Sequence, residues 1–334
     1  MVNLNETFST DNSTSSSSYS ISPLFRFWSY LVLDTLSVVC TLITLCFLLL
    51  DKAIHKALHN HIIIVLLVID LIYELTDIPW ILYFNYWGVP MFASTTFYII
   101  WTFVDYAFYS TQIALFAWAT IERHILIFHD KWIATKRKRL FVHYIPIIAI
   151  TSYCLLFYTF IYLIPFCKNS FDSFVGGGIY IPCLFSRTIL GSWDLIVQQV
   201  IPTSIIVIFS ALLILRVIWQ KKRLHQPIAW KRHRKMTIQL ISISCLYILF
   251  NLPWTFLVFA FQYGLSAEVA EIPLLFAGYL YYYVTFFFPF VCLGSLPEIR
   301  KKLAEKLCWC RRRRRTPKEV SSKVVTSRIA ASNL

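Results

Sequence analysis

The sequence predicts an all-α membrane protein, and three observations support this class. Apolar residues make up 58% of the 334 positions and charged residues only 14%, whereas a soluble domain carries about a quarter charged residues. Predominantly apolar stretches of about 18 residues or more recur along the chain, each long enough to cross a bilayer as a helix. The sequence lacks the alternating segments typical of a transmembrane β-barrel. A bundle of membrane-spanning helices is therefore the predicted fold.

The distribution of basic residues predicts the orientation of this bundle. The formal net charge is +14, and Lys and Arg cluster in short segments between apolar stretches and after the last one. Cytoplasmic loops have this composition, and contact with anionic lipid accounts for the charge. We therefore expect a plasma-membrane protein with its N-terminus outside and its C-terminus inside, and no nucleic-acid partner.

Seven spans are predicted in chain order, and the last three each contain an interior proline. The predicted spans are residues 24–50, 58–83, 94–127, 141–165, 190–219, 236–263 and 272–295. Pro202, Pro253 and Pro289 lie inside spans five, six and seven, where a proline kinks a membrane helix rather than ending it. No internal repeat is evident in the sequence.

Both ends of the chain contain candidate modification sites. Asn5 and Asn12 begin glycosylation sequons in a Ser/Asn/Thr-rich arm. Cys308 and Cys310 lie beside a run of arginines and are candidate palmitoylation sites, with free thiols as the alternative. The predicted domains are an extracellular disordered arm (1–23), a seven-span domain (24–295), an amphipathic membrane-surface helix (296–310) and a basic cytoplasmic tail (311–334).

Charged residues inside the predicted spans are the candidate functional residues. Asp70, Glu74 and Asp77 in span two are four and three residues apart, so they share one helical face. Carboxylates at membrane depth face the bundle interior or a cavity. The pair Glu122-Arg123 closes span three, where charge marks a functional site unless the arginine simply reaches the lipid headgroups.

The order and spacing of these features resemble the rhodopsin-like (class A) G-protein-coupled receptors, from span one to the tail helix. Glu122-Arg123-His124 is similar to the acid-arginine-aromatic motif of that family. Asp70 occupies a position similar to that of the family's sodium-site aspartate. The prolines of spans five to seven also fall where the family has prolines. The resemblance implies that coupling and activation involve Glu122, Arg123, His124, Asp70, Asn251, Pro253 and Pro289.

Three departures from the family pattern indicate a divergent, invertebrate-type member. Asn251 stands where the family has a tryptophan, two residues before Pro253. The seventh-span motif lacks its asparagine and its tyrosine, because Phe288 and Cys292 occupy those positions. The usual cysteine at the outer end of span three is also absent. We therefore expect Cys167 and Cys183, in the outer loop between spans four and five, to pair with each other.

The resemblance further implies a cationic ligand in the outer half of the bundle. Asp105 matches the position that binds the ammonium group in amine receptors, and Tyr282 matches a supporting tyrosine. Acids among aromatic rings suit a cation through charge and cation–π contact, although Asp105 in a hydrated structural cavity is the alternative. The predicted ligand-binding residues are Asp105, Asp77, Trp101, Tyr106, Trp254, Tyr279 and Tyr282.

The expected function is that of a receptor for an extracellular amine or basic peptide that activates a heterotrimeric G protein. Arrestin and the lipid bilayer are further expected partners, and no cofactor or metal is predicted. A light sensor is not expected, because no lysine lies between Glu268 and Ser295 and Tyr282 occupies the position of the family's Schiff-base lysine. An ion- or proton-coupled transporter that uses the acidic face of span two is the alternative function. No catalytic motif points to an enzyme.

Overall fold

The computed structural model of the protein describes residues 21–51, 55, 58–128, 135–163, 174–175, 179–180, 183, 188–224 and 227–296. Several predicted features lie outside these residues. They are the sequons at Asn5 and Asn12, the outer-loop Cys167, the predicted surface helix with Cys308 and Cys310, and the basic tail.

Helices make up nearly all of the described chain, and we number them α1 to α7. They are α1 (Pro23–Leu50), α2 (Leu58–Trp87), α3 (Thr95–Phe128), α4 (Lys136–Arg139, Leu140–Tyr144 and Ile145–Leu163), α5 (Thr188–Trp193, Asp194–Val200 and Ile201–Leu224), α6 (Pro227–Leu246, Tyr247–Asn251 and Leu252–Gln262) and α7 (Ala267–Leu280 and Tyr283–Ser295). Between α4 and α5, the short strands β1 (Phe174–Val175) and β2 (Ile179–Tyr180) pair antiparallel.

Five helices in the described chain are long and apolar enough to cross a membrane, and they lie in α1, α4, α5, α6 and α7. α2 and α3 are not in this set, because both contain several charged and polar side chains among their apolar residues. The prediction of a helical protein with membrane-type helices is therefore confirmed at this level.

Buried charged side chains and an apolar outer surface distinguish this protein from a typical soluble one. Asp70, Glu74, Asp77 and Glu122 are 0% exposed, whereas large apolar side chains such as Leu156, which is 67% exposed, cover the outer surface. A soluble monomer rarely exposes large contiguous apolar patches, but lipid solvates such a surface. The arrangement is compatible with a protein embedded in a membrane.

Within the described residues, three helices contain a π-helical turn, and each turn contributes at least one buried polar side chain. These side chains are His143 in α4, Asp194 in α5 and Asn251 in α6. The turns in α5 and α6 end two residues before Pro202 and Pro253, which cannot donate the regular helical hydrogen bond. The irregularity expected at these prolines therefore takes the form of a π turn, a feature that is frequent at functional sites.

Besides shifts of up to about five residues at the ends of α2, α4 and α7, the structure differs from the sequence prediction in two larger respects. The basic segment 220–235 was predicted as a loop, yet α5 continues to Leu224 and α6 begins at Pro227. Proline is favourable in the first turn of a helix, and Lys and Arg are good helix formers, so this segment is mostly helical. The second difference is a break in α7, where Tyr281 and Tyr282 form a turn between its two parts.

α3 lies at the centre of the packing. It contacts α2, α4 and α5, while α1 packs on α2 and on the second part of α7, and α6 packs on α5 and α7. One buried cluster is rich in aromatic side chains and includes Tyr73, Trp101 and Tyr282. A second, more aliphatic cluster includes Phe116 of α3 and Tyr247 of α6, whose rings stack with centroids 4.6 Å apart. Polar residues on α3 are therefore surrounded by other helices.

Candidate functional site

Asp105 lies in the first half of α3 and is only 7% exposed. The Tyr73 hydroxyl of α2 donates a hydrogen bond to Asp105 Oδ1 at 2.7 Å. The hydroxyls of Tyr281 and Tyr282 donate to the same oxygen from 3.5 Å each. Both tyrosines reach it because α7 is interrupted at these two residues. The carboxylate is therefore surrounded by hydroxyl donors from α2 and α7.

A second buried carboxylate, Asp77 of α2, lies close to Asp105 and interacts with it electrostatically. Trp101 Nε1 donates a hydrogen bond to Asp77 Oδ1 at 2.9 Å. Asp77 Oδ2 has no hydrogen-bond partner in the part of the chain that the structure describes. No Lys, Arg or His among those residues forms an ion pair with either acid. The cluster therefore presents negative charge between aromatic walls, an arrangement suited to a cation.

The remaining predicted ligand-binding residues lie at different sides of this cluster. The ring of Trp254 stacks on Tyr281, with centroids 5.4 Å apart. Tyr106 packs against the aromatic rings of α4, and Tyr279 stacks on Tyr30 of α1 at 5.3 Å. The structure thus groups Asp105, Asp77, Trp101, Trp254 and Tyr282, and places Tyr106 and Tyr279 against neighbouring helices.

Sequence reasoning missed a third buried acid near this region, Asp194 of α5, which is 6% exposed. The Tyr158 hydroxyl of α4 donates to Asp194 Oδ1 at 2.5 Å and also lies 2.7 Å from the Ser110 hydroxyl of α3. An acid within an apolar span was the available signal, the same signal that singled out the acids of span two. Asp194 belongs to a polar network that joins α3, α4 and α5.

Asn251 joins three helices in the middle of the bundle. The Tyr109 hydroxyl of α3 donates a hydrogen bond to Asn251 Oδ1. Asn251 Nδ2 lies 3.1 Å from Thr203 Oγ1 of α5 and 3.4 Å from Thr255 Oγ1 of its own helix. The residue that departs from the family pattern therefore has defined polar partners in this protein.

Replacing Asn251 with leucine is expected to lower the free energy of unfolding by about 1–3 kcal/mol. The change would leave the Tyr109 and Thr203 hydroxyls without these hydrogen bonds, and buried unsatisfied polar groups cost about this much. Thermal unfolding of the purified protein in detergent measures the effect. Thr255→Val, which removes only the longest of the three contacts, is the matched control. An Asn251→Leu protein as stable as the wild type would contradict the assigned role.

Asp70 of α2 contacts α3 further towards the second half of that helix. Gln112 Nε2 of α3 donates to Asp70 Oδ1 of α2 at 2.8 Å, and Asp70 is 0% exposed. Asp105, Tyr109 and Gln112 are four and three residues apart on α3, so they share one helical face. This face of α3 therefore makes polar contacts with α2, α6 and α7 from Asp105 towards its second half.

The second half of α3 ends in a buried charged group. Glu122 Oε1 lies 2.6 Å from Nδ1 of His143 on α4, and both residues are 0% exposed. His143 Nε2 lies 3.4 Å from Nδ1 of His61 on α2. Arg123 is 1% exposed, so its side chain lies inside the bundle rather than on the outer surface. His124 Nε2 lies 2.7 Å from a backbone carbonyl of α5.

His143 was not predicted as a site residue, because a single histidine at the start of an apolar span gives no distinctive signal. We expect His143→Leu to destabilise the protein by roughly 3–5 kcal/mol, since it removes this partner of the buried Glu122 carboxylate. Thermal unfolding of His143→Leu, Glu122→Gln and the double variant forms a mutant cycle. The double variant should be more stable than the sum of the single effects implies. Additive effects would show that the pair is not coupled.

The remaining residues singled out from the sequence are the cysteines and the prolines of the spans. Cys183 is disulfide-bonded, and its partner lies outside the described residues, so pairing with Cys167 stays a prediction. The other described cysteines are free: Cys40, Cys46, Cys154, Cys245 and Cys292. Pro289 is buried in α7, whereas Pro253 of α6 is exposed on the outer surface.

No protein-family model matches the chain, and no curated protein matches it. The class of protein is defined by the fold and the site alone. It is a helical protein whose apolar helices are compatible with membrane embedding and whose interior contains buried acids.

Proposed function

We propose that the protein is a seven-span receptor of the rhodopsin-like, G-protein-coupled type, with its N-terminus outside the plasma membrane. Its ligand is an extracellular cation, an amine or a basic peptide, and its output is activation of a heterotrimeric G protein. One observation supports this most directly: α3 has the buried Asp105 cluster near one end and the buried Glu122–Arg123 pair near the other. Between them, α3 makes polar contacts with α2, α4 and α6.

At the outer end, the ligand cation would compete with tyrosine hydroxyls for the Asp105 carboxylate. These hydroxyls come from Tyr73 on α2 and from Tyr281 and Tyr282 on α7. Binding a cation would therefore replace direct contacts between α3 and these two helices with contacts through the ligand. A ligand shifts the receptor towards its active state only by its higher affinity for that state. The difference in ligand affinity between the two states would arise from these replaced contacts.

In the middle of the bundle, the hydrogen bond between Tyr109 and Asn251 would pass the change from α3 to α6. Asn251 ends a π-helical turn and is followed by Pro253. Irregular turns and prolines are the usual sites of helix bending, so the part of α6 before this turn would move as a rigid lever, a common form of switching transition.

At the inner end, outward movement of α6 would open a cavity beside Arg123 for the G protein. In the resting state, Glu122 lies next to Arg123 in sequence and bonds to His143, which holds this end of α3 against α4. The basic segments between the helices would contact anionic lipid and the G protein. Phosphorylation of the tail would add negative charge for arrestin.

The test is G-protein activation in cells that express the chain, measured without ligand and with a panel of amines and basic peptides. We expect at least one cationic compound to raise nucleotide exchange on a G protein above that of cells without the receptor. A chain shown to reach the cell surface that stays silent with the whole panel would contradict the proposal.

A transporter for protons or cations is the second candidate function. It is favoured by the number of buried acids on α1 and α2: Asp34, Asp70, Glu74 and Asp77 are all at most 8% exposed. Such acids line ion paths in other membrane proteins. Purified protein in liposomes distinguishes the two functions, because a transporter moves cations down an imposed gradient without any guanine nucleotide. We propose no enzymatic activity.

A further inference from the structure

The interface between α1 and α2 contains polar side chains that the proposed receptor mechanism does not use. Asp34, Ser37 and Thr41 of α1 are three and four residues apart, so they share one helical face. They are 8%, 0% and 0% exposed, and α1 packs directly on α2. The Thr41 hydroxyl donates a hydrogen bond to Glu74 Oε2 of α2 at 3.2 Å, which places the Glu74 carboxylate against this face.

Two carboxylate oxygens in this group, Asp34 Oδ1 and Glu74 Oε1, have no hydrogen-bond partner among the residues that the structure describes. The Ser37 hydroxyl lies within hydrogen-bonding reach of the Glu74 carboxylate, and Asp34 interacts with that carboxylate electrostatically. Buried polar groups are nearly always satisfied in native proteins. Unpartnered oxygens from two facing helices therefore indicate a bound species between them.

The charge of this group indicates that the species is a cation. No Lys, Arg or His in the described part of the chain forms an ion pair with Asp34 or Glu74. A buried carboxylate must be neutralised, paired or bound to a metal ion. Two carboxyl groups facing two hydroxyls, without a basic side chain, would be satisfied by a bound cation, because one ion can contact all of these oxygens at once.

The donor atoms indicate which cation it is. All of them are oxygens, which suit hard ions rather than zinc or copper. Calcium takes about six to eight oxygen ligands, more than the four side chains here would supply. No three His, Cys, Asp or Glu side chains in the described ranges form a group that could hold a metal ion. A monovalent ion, with lower demands on charge and ligand number, fits this donor set best.

We propose that a sodium ion binds between α1 and α2, held by Asp34, Ser37, Thr41 and Glu74, and that it joins the two helices. This site differs from the one that Asp70 would form, because Asp70 Oδ1 is bonded to Gln112 on the α3 side of α2. The site does not depend on the receptor function, since it requires only the packing of α1 on α2.

The test is thermal unfolding of the purified full-length protein over a series of sodium chloride concentrations, with choline chloride holding the ionic strength constant. We expect the melting temperature to rise with sodium and to saturate. Glu74→Gln and Asp34→Asn should each raise the apparent Kd for sodium at least tenfold, because each removes a charged ligand. Ser37→Ala should raise it less, by about threefold to tenfold. Asp194→Asn, which neutralises a buried acid of α5 that bonds to Tyr158, should retain the response.

Either of two results would overturn the proposal. A wild-type protein that sodium does not stabilise beyond choline would show that the two carboxyl groups are neutralised in another way. A response that is lost in Asp70→Asn and kept in Glu74→Gln would place the ion on the α3 side of α2. If a charge-neutralising variant does not fold, Ser37→Ala decides, because an unchanged sodium affinity after removal of that hydroxyl contradicts the assigned site.

Discussion

In cells that express the chain, replacing Arg123 with alanine is expected to lower ligand-dependent G-protein activation by at least about tenfold. Arg123 is buried at the end of α3, beside the Glu122 carboxylate that bonds to His143. In the proposed mechanism this guanidinium contacts the G protein only in the active state, so its loss removes part of the coupling between the two ends of α3. Coupling free energies usually correspond to about 5–150-fold changes. The measurement is nucleotide exchange, normalised to the number of receptors at the surface.

Two further variants make this result specific. Arg123→Lys keeps the positive charge but loses the planar array of donors, so it should retain only part of the signal. Arg26→Ala removes an arginine from the beginning of α1, far along the chain from this site, and should signal like the wild type. An Arg123→Ala protein that reaches the surface and signals at the wild-type level would contradict the receptor proposal, and cation flux would be the next measurement.

The helices themselves were predictable from sequence, because long apolar stretches in lipid must satisfy their backbone hydrogen bonds internally. The three acids of α2 were also predictable as interior groups, since charge at membrane depth is costly. Asp70, Glu74 and Asp77 are all fully buried in the structure. These inferences depend on composition and on the 3.6-residue period alone, so they needed no knowledge of how the helices pack.

The π-helical turns were not predictable in the same way. His143, Asp194 and Asn251 each lie in such a turn, where an extra residue changes the direction of the following side chains. A regular helical period does not include that extra residue, and tertiary packing decides where it is accommodated. Asn251 was singled out only because it departs from the family pattern, and its partners on α3 and α5 became visible only in the structure.

The break in α7 had a similar effect on the candidate ligand site. Tyr279 and Tyr282 are three residues apart, which on a continuous helix places them on nearly the same face. Both rings pack on Tyr30 of α1, but only the Tyr282 hydroxyl also reaches Asp105, beside the turn at Tyr281–Tyr282. Tyr281 gains a contact with Asp105 for the same reason. Four consecutive residues of tyrosine and leucine give no clear sequence signal for a helix break.

Asp105→Asn is expected to weaken binding of the activating amine or basic peptide by roughly 30-fold or more. The substitution keeps the size of the side chain and removes the negative charge that would pair with the ligand. Removing one partner of a buried charge pair costs about 2–5 kcal/mol, which is at least 30-fold in Kd. Competition binding on membranes, with the compound that activates the wild type, measures the change.

Two control variants separate pairing with Asp105 from general electrostatic attraction. Glu271→Gln removes one negative charge from an exposed position on α7, and screening by salt should limit its effect to less than about threefold. Tyr73→Phe removes the 2.7 Å hydrogen bond to Asp105 but keeps the charge, so the carboxylate loses a competing donor and ligand affinity should be equal to or higher than that of the wild type. Unchanged affinity in Asp105→Asn would indicate that this carboxylate only organises its tyrosine neighbours, and that the cation binds elsewhere.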